Sequence, residues 1–411
     1  MPTAPTSSLD LFDDRVLTDP YPAYEALRAM APAVYLQLHG VLAIPRYEDV
    51  RRIQQDSDGF SSQDGVALTA LANEQILSGT VLASDGDTHN RLRRVLSRQL
   101  GPRAIFRTRR DIVARADALV LQHTQHGTFD AAALVGQYVA DNVMRVMGLP
   151  EETRNRLLTG APATFDVFSP KNDRYDKALP IAGAMTEFLR AHVTRDSVTP
   201  GSWMNTIFNA VDAGKIDEAD AVPLASAYTA ASMDTTILGL TGAIEQLARH
   251  PRQWTALRAD PNLSEAAFHE ALRLETPIQG FGRLASRPVD VGGIHIDAGE
   301  QVWLLYGSAG RDERRWGADA DTFNIRRAQV DQHLAFGGGR HHCAWIPLAV
   351  LQARALLRSL AAHCTHITPA GNPEPVLNNL LRGYSCVPVT VEEAPHSTHA
   401  QTPGATAGRA S

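Results

Sequence analysis

The stretch His333-Leu-Ala-Phe-Gly-Gly-Gly-Arg-His-His-Cys343-Ala-Trp-Ile-Pro-Leu-Ala349 carries a cysteine from a glycine-rich loop to the start of an apolar helix. Glycine accepts backbone conformations and close approaches that a Cβ forbids, so three in a row mark a place where the chain can pass near a flat neighbour. At a helix N-terminus the dipole and the unpaired N–H groups favour thiolate over thiol, which suits a metal ligand. A structural cysteine after a flexible turn is the plainer alternative, and this segment alone leaves both open. Zinc is disfavoured, because His341, His342 and Cys343 have no second ligand pair at a recognised zinc spacing.

Cys343 is one of three cysteines, with Cys364 and Cys386, in 411 residues. An odd, low count argues for a reducing compartment and against a disulfide framework. Hydrophobic residues make up 44% and charged residues 20%, the proportions of a folded globular chain. Acidic residues outnumber basic ones, 45 to 39, and the net charge of -6 removes the overall attraction that nucleic-acid binding needs. Met1 to Leu11 has no basic segment followed by an apolar run, and nowhere do eighteen apolar residues follow one another. A cytoplasmic protein with no membrane and no nucleic-acid partner is expected.

Working outward, helical spacing dominates. Pro20 to Arg28 opens a helix, Val34–Leu38 and Val41–Ile44 form a small hairpin around His39-Gly40, and Tyr47 to Gln54 is again helical. From His89 to Leu179 most windows are helical, and the longest candidate helix runs from about Asp217 to His250, stopping at Pro251. A further helix is expected near Ser264 to Leu274. Alternation from Arg283 to Leu305, with turns at Gly292-Gly293 and Ala298-Gly299, predicts a small sheet. No repeat or linker divides the chain. The expectation is a mainly α fold with a minor β-sheet region, one large domain over 11–393, a mobile N-terminus at 1–10 and a disordered tail at 394–411.

Phe336, Gly337, Gly339, His341 and Cys343 match Phe-Gly-x-Gly-x-His-x-Cys, and the segment resembles the haem-binding loop of the cytochrome P-450 superfamily. The likeness continues in order from about Pro20 to Val391. It implies a single large cytochrome P-450 fold, haem b as cofactor, and Cys343 as the thiolate ligand of iron. Glu270 and Arg273 match the family's Glu-x-x-Arg, implying a buried structural ion pair that braces the ligand loop, with Arg326 or Arg327 as a third member. Ala231-Ser-Met-Asp-Thr-Thr236 resembles the oxygen-activation motif of the long helix and gives Asp234 and Thr235 a proton-relay role, with Ser232 where glycine is usual. His89 and Arg93 match His-x-x-x-Arg, whose i,i+4 spacing puts both on one helix face. Arg283, His333 and His341 correspond to positions that hydrogen-bond the haem propionates. Trp345 departs from the pattern, standing where the family prefers glycine; it implies a repositioned ligand loop or an indole turned outward.

The resemblance also implies a monooxygenase that uses dioxygen, with electrons from NAD(P)H through a separate ferredoxin and ferredoxin reductase. Arg94, Arg98, Arg340, His342, Arg354 and Arg358 are candidates for the docking face. Phe60-Ser-Ser-x-x-Gly-Val, Ile278-Gln279, Arg311-Asp-x-Arg-Arg-Trp316 and Asn378-Asn-x-Leu-Arg-Gly383 are similar to phrases of the monooxygenases that demethylate para-substituted benzoates. In that group Phe165, Phe168, Phe281 and Ile278 correspond to walls of an aromatic substrate pocket. Asp64 stands where the group places the arginine that receives the benzoate carboxylate, while Thr69 and Ala230 replace assisting serines. A carboxylate facing Asp64 would be repelled. Expected, therefore, is hydroxylation or O-demethylation of a small neutral or N–H-bearing aromatic, with Gln63 or Asp64 accepting a hydrogen bond. The alternative is oxidative C–C or C–N coupling in secondary metabolism, for example of tryptophan-containing cyclic dipeptides. A haem-binding sensor without turnover is the reading from another class, and Asp234 and Thr235 argue against it.

Overall fold

Apolar residues at helical spacing dominate the middle of the chain, and in the structure, a computed structural model describing residues 3–150 and 153–394, they become a succession of packed helices. In chain order these are α1 (Tyr21–Met30), α2 (Tyr47–Gln55), α3 (Gly86–Gln99), α4 (Pro102–Thr124), α5 (Ala131–Met147), α6 (Thr153–Asp166), α7 (Asp173–His192), α8 (Trp203–Asp212), α9 (Glu218–Arg249), α10 (Pro251–Ala259), α11 (Ser264–Glu275) and α12 (Ile346–His363). The fold is mainly helical, with small sheets. No helix among the described residues is long and apolar enough to cross a membrane.

Helix α9 has 32 residues and so spans about 48 Å at 1.5 Å per residue. A reciprocal capping box between Asp217 and Asp220 starts it, and Pro223 is accommodated near that start. Pro251 ends it at His250. Gly239 lets α11 pack closely, since a Cβ there would lie 2.7 Å from Leu272 Cδ2.

One six-stranded sheet has the order β1-β2-β3-β6-β5-β4, with β1 (Thr6–Ser7), β2 (Val34–Leu36), β3 (Val41–Ile44), β4 (Phe60–Ser61), β5 (Gly280–Ala285) and β6 (Gln301–Leu305). The β1–β2 and β3–β6 pairs are parallel and the others antiparallel. The alternating 283–305 segment resolves into β5, a ribbon of Val289–Val291 and Ile294–Ile296 turned by left-handed Gly292 and Gly293, and β6. Contrary to expectation, the described part of the N-terminal decapeptide is tied down. Thr6 and Ser7 pair with Tyr35 and Leu36, so backbone hydrogen bonds do what hydrophobic periodicity does not. The tail expected to be disordered lies, from 395 onward, outside the described residues.

Buried apolar side chains gather into two clusters, one among α3–α5, α8, α9, α11 and α12, the other around the six-stranded sheet with the α6–α7 corner. A buried ion pair within α11 ties that helix to the segments that follow. Arg273 and Glu270 are both fully buried; Nε and Nη2 of Arg273 reach the two carboxylate oxygens at 2.7 and 2.9 Å. Its remaining N–H groups go to the carbonyls of Gly310 (2.6 Å), Ala320 (2.6 Å) and Thr322 (3.3 Å), so all five guanidinium donors have acceptors. Glu270 also accepts from Arg327 Nε at 3.0 Å and the Asn324 N–H at 2.9 Å. Arg327, rather than Arg326, is the third member.

Candidate active site

Gly337 and Gly339 both adopt left-handed backbone angles, φ +66° and +59°. A Cβ on Gly339 would lie 2.1 Å from the carbonyl oxygen of Gln54, and one on Gly338 would lie 2.7 Å from Gln54 Oε1. Two of the three glycines thus seat the loop on the end of α2; their near neighbour is this chain's own helix. The loop closes when the Cys343 N–H donates to Phe336 O at 2.9 Å. It then enters α12, and the Trp345 N–H points at Cys343 Sγ at 3.4 Å. Burial pushes the thiol's pKa up, against the pull of the Trp345 and Ile346 N–H groups and Arg93. The Trp345 ring does not turn outward. It is buried, lines the cleft, and packs on Trp203 of α8 with ring centroids 5.1 Å apart.

The cleft spans about 1370 Å³ of non-atom space, part of it open to solvent, and lies at the seam of the two apolar clusters. Beside the ligand loop its lining includes Arg93, Arg283, His341, Phe336 and Cys343; α9 contributes Thr235 and Thr236; and Phe165, Ile278, Phe281 and Tyr306 make an apolar and aromatic part. Arg93 also donates to His342 O at 2.6 Å. Arg283 is buried and donates to Gly282 O at 2.7 Å. His89 sits edge-on to His341 with centroids 4.7 Å apart, and both of its buried ring nitrogens lack a partner. Burial, helped by the neighbouring His341, pulls its pKa down to about 4.

His333 does not join this set. It is buried against α11, where its Nε2 and His269 Nδ1 are 3.0 Å apart, and its Nδ1 accepts the Ala335 N–H at 3.1 Å. Accepting at Nδ1 places the neutral ring's proton on Nε2, the donor to His269. The ring also packs on Phe336, so His333 supports the loop from behind.

Sequence reasoning missed Asp85. Its Oδ2 accepts from Ser61 Oγ (2.6 Å) and from the N–H groups of Ser62 (2.9 Å) and Gln63 (3.0 Å), and its Oδ1 lies 3.3 Å from His341 Nε2. Burial raises its pKa, but the donors from His341, Ser61 and Gln63 outweigh that and hold it well below the usual carboxylate range. Asp85 is also the N-cap residue of α3, which carries His89 and Arg93. Its side chain makes no capping bond to α3 and is turned to the 61–63 amides and His341 instead, a long-range choice that sequence spacing does not show. Tyr306, just after β6, and Thr236 were likewise missed.

Asp234 is buried in α9 and outside the cleft lining, its Oδ2 has no partner, and burial pushes its pKa up to about 8. Thr235 faces the cleft and donates to Ala231 O at 3.1 Å. The i−4 bond leaves α9 uninterrupted.

The expected polar end is elsewhere. Gln63 and Asp64 are exposed and do not line the cleft. The Ser61 hydroxyl and the backbone N–H groups of 62 and 63 are drawn to Asp85, and Gly282 donates to Val66 O at 2.9 Å, which leaves the side chains of 63 and 64 on the outward side of that loop. Thr69 caps a short helical turn through the Ala72 N–H at 3.4 Å and is also off the cleft. The side chain of Ala230 lies outside the described residues. Phe168 does not line the cleft but stands behind it, 5.9 Å from Phe165 and 6.5 Å from Phe281.

Among the described residues no group of three or more His, Cys, Asp or Glu could hold a metal ion. The set fits a haem instead: a single thiol at a helix start, two guanidinium groups and an imidazole for its carboxylates, and a histidine with orphaned nitrogens beside them.

The Cytochrome P-450 family model matches residues 187–390. Cytochrome p450 CYP199A2 of Rhodopseudomonas palustris is 34% identical over 394 residues, 95% of each chain. A steroid C26-monooxygenase of Rhodococcus jostii is 25% identical over 397 residues, covering 91% of this chain and 82% of the relative. Among solved structures, ligand-free CYP164A2 of Mycobacterium smegmatis matches with a TM-score of 0.82 at 27% identity, over 93% of this chain and 98% of that one.

Proposed function

The chain belongs to the cytochrome P-450 family and is a haem-thiolate monooxygenase; from that premise we propose that it hydroxylates or O-demethylates a small neutral aromatic compound. The observation that carries the substrate class is the cluster Phe165, Phe168 and Phe281, two of whose rings line the cleft together with Ile278 and Tyr306. The lining arginines, histidine and cysteine, Arg93, Arg283, His341 and Cys343, all belong to the cofactor set, and Tyr306 is the titratable lining group outside it. With Gln63 and Asp64 outside, the hydroxyls of Thr235, Thr236 and Tyr306 are the side-chain acceptors left to a substrate N–H among the described lining residues, and no further cation there receives a carboxylate.

When bound, the haem supplies dioxygen activation and oxidation of a substrate C–H bond. Cys343 Sγ ligates the iron, with backbone N–H groups of the α12 start favouring its anion. Arg93, Arg283 and His341 hold the propionates, and His89 packs beside them. Asp234, protonated at neutral pH, supplies a proton that the Thr235 hydroxyl positions in the cleft. Apolar walls exclude bulk water from the reacting carbon. A reduced ferredoxin, itself reduced by NAD(P)H through a reductase, delivers electrons at a cationic face of Arg94, Arg98 and Arg340. Arg354 and Arg358 contribute less, since they are engaged with Glu265 and Asn262. A reducing cytoplasmic setting suits the three free cysteines.

The test is a spin-state titration of the holoenzyme with 4-methoxybenzoate and with neutral methoxyarenes of the same ring size, followed by product masses. Tighter binding of the neutral compounds and products that gain oxygen or lose methyl are expected. Tight binding and efficient demethylation of the benzoate would defeat the proposal, and dimeric products without added oxygen would favour coupling.

A further inference from the structure

We infer that Asn379 is a positioning residue that sets specificity by clasping the α6–α7 corner over the cleft, an inference that rests on the cleft receiving an aromatic ring. The corner, from Phe165 to Asn172, presents Phe165 to the cleft and keeps Phe168 behind it. Asn379 is 3% exposed and bonded to the corner throughout. Its backbone N–H donates to Asp166 Oδ1 at 2.6 Å. Its Nδ2 reaches Ser169 Oγ at 2.8 Å, Asn172 Oδ1 at 3.0 Å and the Asp166 carbonyl at 3.3 Å. Its Oδ1 accepts from Asn172 Nδ2 at 3.1 Å and from Arg174 at 3.4 Å. Next to it, buried Asn378 donates to Pro162 O at 2.9 Å and accepts the N–H groups of Leu380 and Leu381.

The same segment holds the opposite wall. The Gln279 N–H donates to Leu380 O at 3.0 Å, and Ile278 forms a bridge with Leu381, just before Phe281. Residues 378–381 therefore join two cleft walls from distant parts of the chain. An amide side chain is needed at 379 because it both donates twice and accepts; aspartate has nearly the same size but no donor. With the clasp in place, Phe168 spaces the roof ring Phe165 from the wall ring Phe281. Without it the corner can shift, and an aromatic ligand loses its wall while a ligand that touches only the iron loses nothing.

The test uses imidazole and 4-phenylimidazole as iron ligands of the holoenzyme, titrated by absorbance. Imidazole reports the iron alone; the phenyl group of the second reports the aromatic part of the cleft. Asn379→Asp is expected to weaken 4-phenylimidazole about tenfold and imidazole less than about twofold, and Ser169→Ala, which removes both the bond from Asn379 and the Ser169 Oγ bond to the Asp166 carbonyl, to weaken 4-phenylimidazole about threefold. Should Asn379→Asp fail to retain haem, the Ser169→Ala pair of titrations decides. Parallel weakening of both ligands, or of neither, would overturn the clasp. If the wild type binds 4-phenylimidazole no more tightly than imidazole, the aromatic-substrate proposal falls first.

Discussion

Three side chains carry most of the chemistry, and each makes a distinct prediction. Cys343 is the one cysteine that lines the cleft, so Cys343→Ala should abolish the red-shifted absorbance of the reduced carbon monoxide complex that a thiolate ligand gives; persistence of that band would exclude it as ligand. Asp234 is protonated in the fold up to a pH of about 8, whereas an unfolded aspartate ionises near about 4. Between those values the folded state binds the extra proton, so stability falls as pH rises through the window. Asp234→Asn removes that dependence. Thermal melts should show a gain over wild type that is small at pH 5 and larger at pH 8. Asp85 anchors His341 and residues 61–63 together. Asp85→Asn loses an anionic acceptor, and haem transfer to an apo-globin trap should accelerate by about tenfold, the usual scale for outer-shell partners of a metal site. An unchanged rate would leave Asp85 with no part in holding haem.

At the scale of elements, α9 brings a hydroxyl to the cleft and α11 braces the segments that follow it. Thr235 lies in an unbroken helix, so Thr235→Ala leaves α9 and the aromatic walls intact. Substrate dissociation constants should stay within about twofold, while the fraction of electrons ending in oxidised product drops; a fall in binding with no change in coupling would remove Thr235 from the proton path. Helix α11 holds the pair Glu270–Arg273, whose partners come from 310, 320, 322, 324 and 327. Deleting one member strands a fully buried charge, a loss of about 3–5 kcal/mol. Glu270→Ala and Arg273→Ala should therefore yield little folded protein, and Arg273→Lys should not rescue it, because one ammonium offers three donors to five acceptor positions. The pair was legible as a motif at i,i+3 spacing. Which arginine joins it depended on how the chain returns from β6, and both Arg326 and Arg327 were open until the fold put Nε of Arg327 on Glu270.

Over the whole molecule, net charge and local charge act in opposite directions. The chain is acidic, yet α3, which touches the ligand loop through Arg93, presents Arg94 and Arg98 to solvent. Docking of an acidic ferredoxin at this proposed face would be electrostatic and screened by salt. Ferredoxin-supported turnover should decline several-fold between about 0.05 and 0.5 M salt, and Arg94→Glu with Arg98→Glu should raise the apparent Michaelis constant for ferredoxin while leaving carbon monoxide binding untouched. Salt-independent kinetics would move the docking site elsewhere. The cleft itself is a product of this scale, since its lining is drawn from both apolar clusters and no single element contains it.

Local chemistry was readable along the chain. Helix spacing, proline stops and glycine turns are short-range effects, and they placed α2, α9 and α11 to within a residue or two. The loop from Phe336 to Cys343 marked Cys343 as the candidate haem ligand because its spacing is itself local. Long-range contacts alone decided the rest. Side-chain direction at 63–64 depended on Asp85 pulling the neighbouring amides inward. His333 turned from the cleft because His269, on another helix, satisfied its Nε2. Trp345 turned inward because Trp203 offers it a face to pack on. Sequence spacing sets which residue types occur and on which face of an element, but which neighbour satisfies a buried polar atom or covers a ring is settled only when distant segments pack.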